Sequence, residues 1–178
     1  MKFLKEWSSK ILVFLILCGC LWGIFQNAGD LLRENVYVWK EDQDRRLPIY
    51  CVDTKKKVLA LTFDVAWGNE DMEEVLRILK QEKIEATFFF SGEWMKNYPA
   101  DVKKIAKAGH DIGNHGDHHK YMTKLSKEEQ IEEIQGANDK AKALLGTSME
   151  LFRPPYGDYD SQVVETAESM GCYVIQWS

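Results

Sequence analysis

Five residues of this chain have the side chains and the spacing for hydrolytic chemistry: Asp64, His115, His119, Arg153 and Tyr156. Asp64 ends the run Leu61-Thr62-Phe63-Asp64, and a carboxylate emerging where a buried strand runs out is a workable general base. His115 and His119 stand four apart, a spacing that sets two imidazoles on one side of a helical turn, where they could hold one cation. All 4 histidines fall within 110–119, so His118 competes with His119 as second ligand, and spacing does not choose between them. In Arg153-Pro154-Pro155-Tyr156-Gly157 the prolines hold the backbone extended. Arg153 brings a permanent charge able to orient a carboxylate such as Asp64, and the N–H of Tyr156 is available to a developing oxyanion. Taken singly, each cluster also fits a bland role: a helix cap, a solvated polar loop, a proline loop with a surface arginine.

Each cluster follows a predicted strand. A nearly continuous apolar run predicts a strand over 58–63 buried on both faces, and 86–90 predicts a second. Short strands are expected over 111–113 and 150–152, a last one over 172–177, and a brief one at 49–51. Between them Met72, Val75, Leu76 and Leu79 recur at helical spacing, and a second helix spans 99–108. Ser126 and Glu129 form a capping box for a helix expected to turn Ile131, Ile134, Asn138, Ala141 and Leu145 inward, and a fourth helix starts near Ser161. Strands alternating with helices predict an α/β fold with a parallel sheet, and polar groups at the carboxyl ends of such strands are how the fold assembles a site. A closed barrel of this kind takes about 250 residues, and about half that number follows Lys57. The expectation is therefore a truncated domain whose last strand has an uncovered edge.

With 45% apolar and 29% charged residues, the 178-residue chain reads as one globular domain plus extras. Its net charge of −5 argues against a phosphate-binding surface for nucleic acid, and a neutral or weakly charged substrate fits better. An apolar run over 11–25, preceded by Lys2, Lys5 and Lys10, predicts a membrane-targeting signal or anchor, read first as an uncleaved anchor, that places everything beyond it outside the cytoplasm. The layout is then anchor over 1–29, stalk over 30–48 and folded domain over 49–178. Cys18 and Cys20 act as small hydrophobes in the anchor, and Cys51 and Cys172 are expected as two buried thiols. No signal for an oligomer is visible.

The three clusters together resemble the motifs of the NodB-homology polysaccharide deacetylases, carbohydrate esterase family 4, over 49–178. Leu61-Thr62-Phe63-Asp64 looks like the first motif, His115 to His119 the second and Arg153-Pro154-Pro155-Tyr156-Gly157 the third, while Val65-Ala66-Trp67-Gly68-Asn69 resembles the sporulation-associated branch. The resemblance implies a distorted β/α barrel, incomplete here, that removes acetyl groups from an N-acetylated cell-wall or spore-wall polysaccharide with the help of a divalent metal, zinc first. It implies Asp64 as the base, His115 and His119 as metal ligands, Arg153 as the residue positioning Asp64 and the Tyr156 amide as the oxyanion donor. Two positions depart from the family pattern: Val65 stands where the Asp metal ligand is usual, and Gly116 where Ser or Thr follows the first histidine. Asp117, His118, Asn69 or Glu70 could supply the missing donor. The family's later motifs, with its general-acid histidine, would lie beyond Ser178, so this chain alone is expected to be inactive. A membrane-anchored wall-binding protein that has lost the metal is the alternative, and Trp67, Trp94 and Tyr159 are candidates for stacking on sugar rings.

Overall fold

The computed structural model of the chain describes residues 45–177; the predicted anchor over 1–29, and all but the end of the predicted stalk, lie outside them. Among the described residues no helix is long and apolar enough to cross a membrane. The elements in chain order are β1 (Thr62–Val65), α1 (Met72–Glu82), β2 (Thr87–Phe90), α2 (Gly92–Asn97), α3 (Pro99–Lys107), β3 (Asp111–Asn114), α4 (Lys127–Leu145), β4 (Leu151–Phe152), α5 (Ser161–Ser169) and β5 (Tyr173–Val174). Single 3-10 turns occupy Met122–Lys124 and Pro155–Gly157.

The five strands are parallel and lie side by side in chain order, β1-β2-β3-β4-β5. A sheet without a reversal of strand order, crossed by connections of one hand, keeps its helices on one face, as in a β/α barrel and unlike a doubly wound sheet. Side-chain alternation along the strands agrees. Val65, Phe88 and Phe90 join Leu76, Leu79, Ile105, Ala137 and Ala141 in one buried cluster, and Phe152 and Val174 join Ile134, Val163, Val164 and Ala167 in a second. The intervening residues, Asp64, Phe89 and Gly113, lie in register across β1, β2 and β3 and face the other way.

Several expectations need correction. The first strand is shorter and later than its apolar run: β2 begins at Thr87, opposite Thr62, so Val58 and Leu59 have no strand beside them and are exposed. The edge of β5 is not bare, because the N–H of Ile49 donates to Val174 O at 2.8 Å and Ile49 O accepts from Gln176 N at 2.9 Å. On α4 the capping box is present, but Ile131 is exposed and the inward stripe is Gln130, Glu133, Ile134, Ala137, Asn138 and Ala141. Its polar members are partnered: Gln130 Nε2 donates to Met122 O and Gln130 Oε1 accepts from Thr166. The short α2 was not expected; Ser91 caps it by accepting from Trp94 N–H. Cys172 is buried as expected, whereas Cys51 is exposed, and both are free thiols.

Candidate active site

Asp64, His115 and Arg153 follow one another across the sheet at the carboxyl ends of β1, β3 and β4, and the structure brings all three together. Arg153 is buried, and its Nη1 donates to Asp64 Oδ1 at 2.7 Å and to Thr62 Oγ1 at 2.9 Å. Thr62 and Asp64 alternate onto the same face of β1, so one guanidinium nitrogen ties two successive inward positions. The guanidinium lies over the Phe89 ring, Cζ 4.0 Å from its centroid. Phe89 has room to lie there because β3 carries a glycine opposite it: a Cβ on Gly113 would come 2.4 Å from Phe89 Cδ1.

His115 is buried, with Nδ1 2.7 Å from the carbonyl oxygen of Arg153. A carbonyl can only accept, so Nδ1 carries the hydrogen and Nε2 presents its lone pair toward Asp64 Oδ2, 4.0 Å away. Burial lowers the His115 pKa to about 4 against the opposing pull of Asp64, so the ring is neutral at pH 7 and its contact with Asp64 is not an ion pair.

The segment from His115 to His119 is not the helical turn that its spacing suggested but an irregular loop with left-handed backbone at Gly116 (φ 73°) and His119 (φ 55°). The loop nevertheless brings the His119 ring to 4.9 Å from that of His115, edge to face. Burial lowers the pKa of His119 as well. Tyr156 is also left-handed (φ 60°), and its ring meets His119 edge to face at 4.5 Å. All five predicted residues thus fall in one region.

Of the four alternative metal donors, Glu70 is exposed and the other three are otherwise engaged. Asp117 is buried under Lys140, whose Nζ reaches its two oxygens at 2.5 and 2.8 Å. His118 points away: its ring and backbone N–H both bond Glu133 at 2.8 Å. Asn69 donates to Asp101. Burial alone would raise the Glu133 pKa, but hydrogen bonds from His118 and Lys120 outweigh it and hold the carboxyl below its usual value. These contacts clamp the histidine loop to α4, and spacing alone did not reveal them because Asp117 and Lys140 lie 23 residues apart. Thr62, by contrast, was within reach of a period-two reading from Asp64.

This donor set fits a divalent cation only in part. The chemistry of the two imidazoles suits it: both are neutral, and His115 has its tautomer set by a carbonyl so that Nε2 is free, the arrangement common among metal-bound histidines. The third protein donor is missing. Val65 is buried in the helix-side core, and among the described residues no three His, Cys, Asp or Glu side chains cluster as a metal cage. Of the aromatics proposed to meet sugar, Trp67 is exposed, Tyr159 is half-buried and bonded to Tyr50, and Trp94 is 1% exposed and belongs to the core.

The polysaccharide deacetylase family model matches residues 52–175. An uncharacterized Bacillus subtilis (strain 168) protein, YlxY, is 36% identical over 131 residues, covering 74% of this chain and 41% of YlxY. The peptidoglycan-N-acetylmuramic acid deacetylase PdaA of the same organism is 32% identical over 130 residues, 72% of this chain and 49% of PdaA. Among solved structures, wild-type BA3943, a CE4 family pseudoenzyme from Bacillus anthracis, superposes with TM-score 0.71 at 36% identity, over 74% of this chain and 47% of that one. A BA3943 mutant with restored enzymatic activity gives the same TM-score at 37% identity, covering 74% and 48%. The chain spans about half the length of these relatives. A match over most of the described residues, in a parallel sheet that carries the motif residues at its strand ends, places this chain in the polysaccharide deacetylase family.

Proposed function

We propose that the chain is the motif-bearing part of an N-deacetylase of cell-wall or spore-wall amino-sugar polysaccharide, held by its N-terminal segment at a membrane with the folded domain outside the cytoplasm. The observation that carries this reading is the buried Arg153 holding Asp64 by Oδ1 while Asp64 Oδ2 faces the His115 lone pair. Asp64 takes the proton of the water whose oxygen attacks the acetyl carbon. The backbone N–H of Tyr156 faces the resulting oxyanion, and collapse breaks the C–N bond, giving acetate and an amine that takes up the proton. His115 and His119 would hold a divalent metal, zinc first, which when bound supplies Lewis-acid polarisation of the acetyl carbonyl.

One observation favours a second reading, in which the domain binds the same polysaccharide without cleaving it. Val65 is buried apolar core where the family's third ligand is usual, and BA3943, with a similar sheet, is a pseudoenzyme. Metal content and acetate release, measured on the full-length protein with peptidoglycan and with N-acetylglucosamine oligomers, separate the two. Bound metal and acetate release, both lost in His115→Ala, support the enzyme. Glycan binding with neither metal nor acetate supports the binder and overturns the catalytic assignment.

A further inference from the structure

Rings, most of them exposed, continue outward from the site as a line of pairwise contacts. Trp67, 74% exposed, meets His119 edge to face at 4.6 Å; His119 meets Tyr156 at 4.5 Å; and Tyr156 stacks on Tyr121 at 4.1 Å, 13° from parallel. Tyr121 and Tyr156 are each about half exposed, at 52% and 48%. Neighbouring aromatic side chains left half or more exposed to water are unfavourable unless something covers them, and such patches mark binding grooves. The two middle members, His119 and Tyr156, are also two of the three non-glycine residues with left-handed backbone among the described residues. That conformation costs about 1–3 kcal/mol per residue and persists where the surroundings impose it, typically at ligand sites. Beside the line, between Trp67 and Tyr156, lies a cavity of about 290 Å³ whose lining includes Glu93, Asn97 and His118, a mixture of ring faces and a few polar groups.

We propose that Trp67 and the stacked pair Tyr156–Tyr121 form a ring platform for an uncharged amino-sugar chain, with one sugar ring seated in the Trp67–Tyr156 cavity. Sugar C–H groups carry partial positive charge and match the negative faces of aromatic rings, whereas an anionic polymer would gain nothing from this uncharged strip and would meet Glu93. The platform adjoins His119 and so extends the hydrolytic site without sharing its groups, except at Tyr156. The inference rests on the polysaccharide reading above, but its test does not depend on turnover.

Binding of an N-acetylglucosamine tetramer to the full-length protein is measured by calorimetry for wild type, Trp67→Ala, Tyr121→Ala and Tyr121→Phe. These side chains are at least half exposed, and an unchanged Tm confirms that each variant folds. The expected result is at least fivefold weaker binding for each alanine variant and near-wild-type binding for Tyr121→Phe, which keeps the ring. If wild type binds and both alanine variants bind equally well, the platform is overturned while the polysaccharide reading stands. If wild type binds neither the tetramer nor peptidoglycan, both fall.

Discussion

Arg153 and Asp64, 89 residues apart in the chain, meet at 2.7 Å because each leaves the carboxyl end of a parallel strand on the sheet face away from the helices. The contact is set from behind as well. Phe89 supports the guanidinium, and Gly113 leaves space for Phe89. Lysine has no planar group to lie over Phe89, so Arg153→Lys loses the support that fixes where the nitrogen bonding both Thr62 and Asp64 sits. Since a misplacement of about 1 Å can cost about 100-fold in rate, acetate release should fall by roughly that factor with KM little changed. An unchanged kcat would show that Asp64 needs no support from Arg153.

Gly113→Ala tests the same stack from its far end. The new Cβ would overlap the Phe89 ring, and Gly113 and Asn114 are buried, so relief must come from moving that ring. Overpacking of this kind costs about 1–3 kcal/mol, readable as a lowered urea midpoint. Adding Phe89→Leu should restore part of the stability but not the guanidinium stack. A double variant no more stable than Gly113→Ala would place the strain elsewhere.

Acid should weaken the fold in two windows. His115 has a folded pKa of about 4, below its unfolded value near 6.5, so the unfolded chain binds its proton first and stability falls as pH drops from about 6.5 to 4. Glu133 also has a lowered folded pKa, but as an acid it contributes stability above its unfolded value of about 4.3, and that contribution is lost as pH falls through the folded pKa. Glu133→Gln should therefore flatten the urea-midpoint profile below about pH 4.5 while leaving the upper window in place. Identical profiles for variant and wild type across pH 3–5 would remove Glu133 from acid unfolding.

Elements with a clean period were legible in the sequence. The order of strands, α1, α3 and α5, and the capping box of α4 followed from apolar spacing and from Ser126 with Glu129. Residues hidden by tertiary partnering were not. Apolarity alone puts Ile131 on the inner face of α4, whereas the structure turns Glu133 inward because His118 and Lys120 neutralise it. Trp94 reads as an exposed aromatic until α2 buries it and its Nε1 finds Gly68 O. The motif residues were legible because each stands at the end of a strand, but what supports them, Phe89 and Gly113, looks like ordinary strand sequence and gains meaning only from register across three strands.

Val65→Asp separates a lost metal site from one that never needed a third donor. At 6% exposure beside Leu76, Phe88 and Trp94, an unpaired carboxylate replaces apolar packing, and without metal the variant should lose about 2–4 kcal/mol of stability. A ligand that binds only the folded state contributes about 2.7 kcal/mol at 100 times its dissociation constant, enough to offset most of that loss. Because the substituted residue adjoins Asp64 at the end of β1, zinc should raise the Tm of Val65→Asp by several degrees more than that of wild type, and His115→Ala in the same background should abolish the difference. Equal zinc responses in Val65→Asp and wild type would mean that position 65 faces the helices too firmly to reach the imidazoles, and that this domain's departure from the three-ligand pattern lies in its backbone and not in one side chain.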